Sequence, residues 1–222
     1  MLYSQPHIDR LDAVLKSLQA EPSRLSSLLE RGGDANLALQ GMLDSLMQAG
    51  VLLPSDSADP VLTFARDIKF LHGPSIEAQL ETLTDAAKRS VEVFSLIGST
   101  NDHLLSSTCG LDEVKLCVSE VQVGGRGRRG NVWRSAAYRN IMMSVARRYP
   151  AWSTTASAAA LVVAVAVASV LNEKFSAQVQ IKWPNDLMIG DAKLGGILVA
   201  ANGEYGGQCQ LVVGLGLNVD QP

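Results

Sequence analysis

Residues 182–199 read KWPNDLMIGDAKLGGILV. An extended stretch at 178–183 enters a tight turn, and a second extended stretch leaves it at 194–200. Pro184 holds Trp183 extended, so the turn carrying Asn185 and Asp186 has a defined entry. Outward from this point, strand-like stretches recur at Val91 to Ile97, Val114 to Val121, Asn140 to Val145 and 210–219. A short segment, Asn101 to Ser106, can be helical, and a long Ala/Val helix is predicted from about Ser153 to Leu171. Strands mixed with a few helices and joined in several places by tight turns predict an α+β fold with a mixed or antiparallel sheet.

Toward the N-terminus the period changes. Apolar residues recur at helical spacing in Ile8 to Leu18, Leu25 to Leu29 and Leu37 to Met47, broken by Glu21-Pro22 and Gly32-Gly33. Val51-Leu52-Leu53, the polar turn SDSADP and Val61-Leu62-Thr63-Phe64 form the pattern of a β-hairpin. Three helices and a hairpin outline a winged helix-turn-helix over residues 1–66. A linker at 67–75 and a polar helix, Ile76 to Arg89, lead into a second domain at 76–222.

Composition bounds the class. The 222 residues are 47% hydrophobic and 18% charged, values of a globular chain. A net charge of -3 removes the general electrostatic case for nucleic-acid binding. Cys109, Cys117 and Cys209 lack CxxC spacing and read as reduced thiols. No export signal is read at the N-terminus, and the longest apolar run, Ala158 to Ala168, is too short to span a bilayer and reads as a buried helix. The expectation is a cytoplasmic protein without membrane contact.

Four segments carry chemistry. Gly124-Gly125-Arg126-Gly127-Arg128-Arg129-Gly130 follows Glu120 and Gln122. Glycines let backbone N–H groups approach an anion, and Arg supplies forked donors for phosphate or carboxylate. A solvated basic loop would read the same way. Lys193 presents an ammonium beside Gly195-Gly196, where a ligand can lie against backbone; the alternative is a β-turn at WPND, an edge-strand charge and a glycine bulge. Ser99-Thr100-Asn101 supplies directed donors and acceptors, or simply an N-cap for the helix that follows. In Gly214-Leu215-Gly216-Leu217-Asn218-Val219, alternation indicates a strand whose glycines expose backbone.

Taken in order, GSTN, ExQxxGRGRRG, KWPND, KLGGILV and GLGLNV resemble the biotin protein ligase (biotin–[acetyl-CoA-carboxylase] ligase) family, and most of all its bacterial bifunctional ligase and biotin operon repressor members. The motif resemblance covers about Gly98 to Val219. It implies a class II synthetase-like catalytic domain that uses ATP and Mg2+ to form biotinyl-5'-AMP and passes biotin to a lysine of the biotin carboxyl carrier protein of acetyl-CoA carboxylase. It assigns biotin contacts to Ser99, Thr100, Asn101, Gln122, Arg126, Gly127, Arg128 and Lys193. It places Trp133, Asn185, Asp186 and Asn218 near the adenylate or its magnesium, with no metal held by protein side chains alone. Lys193, Arg128 and Asp186 become the catalytic candidates, the cations for growing phosphate charge and Asp186 for the acceptor amine.

The sequence also departs from the family. Such ligases continue past GLGLNV into a small β-barrel domain, whereas this chain stops at Pro222, so a C-terminal domain is expected to be lacking. Ser135-Ala136-Ala137-Tyr138 stands where a serine-proline and glycine turn is usual, and Ala200 replaces a common acidic residue. The reader helix, Asp34 to Ala49, carries Asp34 and Asp44 and no cation, and residues 1–66 hold five Lys or Arg against eight Asp or Glu. Arg24 and Arg31 remain for operator DNA, and a homodimer stays open. The competing readings are a lipoate or octanoate ligase and a biotin-sensing repressor with little ligase activity.

Overall fold

The computed structural model describes residues 4–83, 88–151, 158–203 and 207–220. Helices α1 (Gln5–Ala20), α2 (Leu25–Gly32) and α3 (Asn36–Gln48) come first, with strands β1 (Ser23–Arg24), β2 (Leu52–Pro54) and β3 (Val61–Phe64) in the order β1-β3-β2. Pro6 in its first turn suits the start of α1, where an N–H has no helical partner. Ile8, Leu11, Val14, Leu15 and Leu18 then fall on one buried face. The three helices and the hairpin are those expected; β1 is an addition, too short to show a period.

The larger sheet has seven strands in the order β4-β5-β6-β10-β9-β8-β7. They are β4 (Lys88–Phe94), β5 (Glu113–Ser119), β6 (Asn140–Tyr149), β7 (Gln180–Lys182), β8 (Asp186–Ile189), β9 (Ala192–Gly203) and β10 (Cys209–Asn218). β4 and β5 are parallel and the other pairs antiparallel, a mixed sheet as predicted. Helix α4 (Gly73–Leu83) precedes β4, α5 (Thr100–Ser106) lies on one face of the sheet, and α6 (Ala159–Phe175) lies on the other.

Several sequence boundaries are corrected. The polar helix does not reach Arg89, which is in β4. The residues after the KWPND turn form a strand of their own, β8, because Asp186 to Ile189 pair with both neighbours. Helix α6 starts later than expected among the described residues; Ser153 lies outside them. It is also only half buried: Ala164 and Ala168 face the sheet, while Val162, Val165 and Val170 are exposed. One helix laid on a sheet covers a single stripe of its surface, so an apolar run on all sides does not guarantee burial on all sides.

The core beneath α1–α3 continues without a break to Leu96 and Tyr138, with Val121 and Val123 packed against it. Asp12, buried on α1, accepts from the Leu96 amide at 2.9 Å and pairs with Lys16 at 2.8 Å, which compensates its loss of water. Residues read as linker are held as well. Phe70 meets Phe64 and Tyr138 edge to face, and the Leu71 amide donates to Glu120 Oε1 at 2.6 Å. Burial raises the Glu120 carboxyl above its ordinary value, with the Leu71 amide opposing in part. The folded state therefore binds this proton more tightly than the unfolded chain. The resulting stability is complete below the unfolded pKa and lost as pH rises through the higher folded value. Glu120→Gln keeps an acceptor for Leu71 without the charge, so its melting temperature is expected to exceed wild type by roughly 2–4 °C at pH 8 and to match it near pH 4, by thermal denaturation.

Cys109, Cys117 and Cys209 are free and buried; burial leads the causes that push the Cys117 thiol up to about 12. Among the described residues no helix is long and apolar enough to cross a membrane.

Candidate functional site

Two loops running side by side build the site. The Val123 amide donates to Ile97 O at 3.0 Å and the Gly124 amide to Gly98 O at 2.7 Å. This brings Ser99, Thr100 and Asn101 at the start of α5 against Gln122. A Cβ on Gly124 would stand 3.0 Å from Gly98 O, so the approach depends on glycine. The loops border a cavity of about 410 Å³ on the α5 face of the sheet.

One end of the cavity is polar and closed. Gln122 Oε1 accepts from the Thr100 amide at 2.7 Å, and Thr100 Oγ1 lies 2.8 Å from Ser144 Oγ. Asn101 Nδ2 donates to Leu198 O at 3.3 Å, leaving its Oδ1 without a protein partner among the described residues. Ser99 Oγ accepts from the Asp102 amide at 3.3 Å; it is the helix cap and a cavity wall at once, so the two readings of this segment coexist.

The other end is cationic, lined by Arg126, Arg128, Arg129 and Lys193, and three of these side chains are paired. Arg126 Nε lies 3.0 Å from Asp102 Oδ2, Arg128 Nη1 donates to Asn185 Oδ1 at 2.9 Å, and Lys193 Nζ donates to Asp186 Oδ1 at 2.7 Å. A register shift places Lys193. Across β8 and β9, Asp186 pairs with Gly196 and Leu187 with Gly195, but Met188 pairs with Lys193, so Leu194 is an extra residue. Regular alternation would put Leu194 on the face of Asp186; the bulge turns Lys193 there and sends Leu194 to the core under α6. A bulge is present, but at Leu194 and not at Gly195-Gly196, which pair in regular register, and it is this bulge that aims the lysine.

Trp133 lies across a glycine floor. Its indole ring occupies the space a Cβ on Gly216 would need, the nearest ring carbon being 2.5 Å away, and Lys193 Nζ sits 5.7 Å from the ring centroid. Among the described residues its buried indole N–H has no partner.

Of the residues singled out from sequence, Ser99, Thr100, Asn101, Gln122, Arg126, Gly127, Arg128, Trp133, Asn185, Asp186 and Lys193 line this one cavity. Asn218 is not in the lining; its Nδ2 donates to Lys193 O at 3.2 Å from behind. Sequence reasoning missed Ser144, which carries no signal beyond the inward alternation of Met142, Ser144 and Ala146 in β6. Among the described residues no three His, Cys, Asp or Glu cluster to hold a metal. Asp186, on the cationic wall, is a carboxylate in the lining, a donor set that fits a Mg2+ carried mainly by nucleotide phosphates. The arrangement suits a ligand with a polar ring at one end and an anion at the other.

Residues 93–218 match the biotin/lipoate A/B protein ligase family. The chain is 39% identical over 130 residues to the Escherichia coli bifunctional ligase/repressor BirA, covering 59% of this chain and 40% of that protein. It is 37% identical over 141 residues to the biotin–[acetyl-CoA-carboxylase] ligase of Mycobacterium tuberculosis, covering 60% and 50%. A variant biotin protein ligase from Aquifex aeolicus, solved in complex with biotin, shares the fold with a TM-score of 0.50 at 24% identity, covering 60% of this chain and 53% of that one. The chain thus spans half or less of the length of the two curated relatives. It belongs to the biotin/lipoate A/B protein ligase family, as a homologue of the bacterial-type biotin protein ligases.

Proposed function

We propose that this chain is an ATP-dependent biotin protein ligase. The observation that supports it is the convergence of Arg126, Arg128 and Lys193, from distant stretches of sequence, on one cavity whose far end is lined by hydrogen-bonding groups. Biotin binds with its ureido ring at Ser99, Thr100, Asn101 and Gln122 and its carboxylate toward the cations. A carboxylate oxygen attacks the α-phosphate of ATP, pyrophosphate leaves, and Lys193 and Arg128 stabilise the charge that grows on the phosphate oxygens. Asp186 would help hold a phosphate-borne Mg2+, which when bound would supply positive charge toward the leaving pyrophosphate. In the second step an acceptor lysine of a biotin carboxyl carrier protein attacks the mixed anhydride, AMP leaves, and Asp186 takes the proton from the amine. Trp133 and Asn185 border the adenylate, and Asn218 supports Lys193 from behind.

A lipoate or octanoate ligase is disfavoured by the polar end of the cavity. A dithiolane or a methyl group there would leave buried donors and acceptors unpaired, a mismatch worth more in discrimination than a lost methylene. Isothermal titration with biotin, lipoate and octanoate tests the assignment: biotin is expected to bind at least about 100-fold more tightly than either. Equal affinity for octanoate would overturn it.

A repressor role for residues 1–66 is a second reading, supported by the three helices and hairpin. The exposed residues of α3, among them Leu37, Gly41, Ser45 and Gln48, include no cation, and Arg24 lies 3.8 Å from Asp59. Operator binding would therefore draw little on phosphate contacts from α3 and should show a shallow salt dependence.

A further inference from the structure

Ser144 is fully buried on β6 and lines the polar end of the cavity. Its hydroxyl lies 2.8 Å from Thr100 Oγ1, which in turn lies 3.2 Å from Gln122 Oε1. The direction of this chain can be deduced. The Thr100 backbone N–H points at the Gln122 side chain from 2.7 Å, so the amide oxygen must be there, and an amide oxygen only accepts. Thr100 has a single hydroxyl proton, and Gln122 can receive it. Among the described residues Thr100 is the side-chain partner of the Ser144 hydroxyl. With Ser144 donating to Thr100 and Thr100 donating to Gln122, both hydroxyl protons have an acceptor among the described residues, whereas the reverse direction leaves the Ser144 proton without one. The remaining lone pair of Thr100 Oγ1 is left as an acceptor for whatever occupies the cavity.

We propose that Ser144 is a positioning residue that fixes Thr100 as a hydrogen-bond acceptor and so selects a ligand ring bearing an N–H at that end. This rests on the biotin reading, because a ureido ring supplies such an N–H and a dithiolane does not. The contribution passes through Thr100, which a merely space-filling role would not require.

The test is a double-mutant cycle on biotin affinity, measured by isothermal titration on the full chain, with melting temperatures recorded for each variant. Ser144→Ala is expected to weaken biotin about tenfold, the effect of one hydrogen bond in a buried site. In a Thr100→Val background the same change is expected to weaken it no further. Ser144→Cys, close in size and a weaker donor, should show a smaller loss in the same direction, and it carries the test if the alanine variant does not fold. Unchanged affinity in Ser144→Ala, or an equal loss with and without the Thr100 hydroxyl, would overturn the proposal. If the unsubstituted chain fails to bind biotin, the ligand reading itself falls and takes this inference with it; binding that ignores Ser144 sinks the inference alone.

Discussion

Replacing Lys193 by alanine is expected to lower the rate of biotinyl adenylate formation by about 10²- to 10³-fold, the effect of removing one preorganised charge from a site where phosphate charge develops. The loss should fall more on the rate than on biotin affinity. On the proposed reading Arg126 and Arg128 would remain to hold the ground-state carboxylate, while the ammonium would matter most when negative charge peaks. Removal also leaves Asp186 unpaired, since its Oδ1 accepts from Lys193 Nζ at 2.7 Å. Lys193→Arg should recover only part of the rate, because a broad planar guanidinium cannot take the place of a compact ammonium aimed by a bulge. Single-turnover measurements with saturating ATP separate the two effects. A Lys193→Ala variant with an unchanged rate and weakened biotin binding would assign the lysine to ground-state binding alone.

The second large effect is expected at Gly214. A Cβ there would stand 2.8 Å from Asn101 Nδ2 and 3.2 Å from Ser144 Oγ, so Gly214→Val places methyl groups among the donors and acceptors at the closed end of the cavity. Biotin affinity is expected to fall more than about 100-fold, through lost volume and unpaired polar groups together. The chain should still fold, because the close contacts are with the ends of side chains and not with backbone. Gly195→Ala makes a contrast. Its Cβ would meet Leu217 Cδ2 at 2.5 Å and Gly216 O at 2.6 Å, on the packed side of the sheet, so the expected loss is in thermal stability. Titration and melting curves on the two variants would show the separation, and a Gly214→Val variant that binds biotin normally would place the ring elsewhere.

Much of this site was legible in the sequence because its residues cluster in short motifs. Each motif alone had an ordinary reading, a solvated basic loop for Arg126 to Gly130 and an N-cap for Ser99-Thr100-Asn101, and their order, which resembles that of the biotin protein ligases, joined them. The sheet could be read from local pattern: alternation marked the stretches that became β4, β5, β6 and β10. What escaped depends on pairing between distant residues. β8 is only four residues long and looked like part of a turn until both neighbours were in place. The side of β9 on which Lys193 lies is set by a bulge at Leu194, and no periodicity within the strand predicts it. Ser144 gains its meaning from Thr100, 44 positions away, and Asp102 gains its own from Arg126. The partial exposure of α6 escaped for another reason: Val162 and Val165 are as apolar as any core residue, and only the single sheet beneath the helix decides which side is covered.

One cavity is expected to join the carboxyl group of biotin to the α-phosphate of ATP. The most direct test is incubation of the chain with biotin, ATP and Mg2+, followed by mass spectrometric detection of the protein-bound product. Biotinyl-5'-AMP, together with stoichiometric pyrophosphate, is the predicted outcome. Retention of biotin and ATP unreacted, under conditions where titration shows both bound, would contradict it.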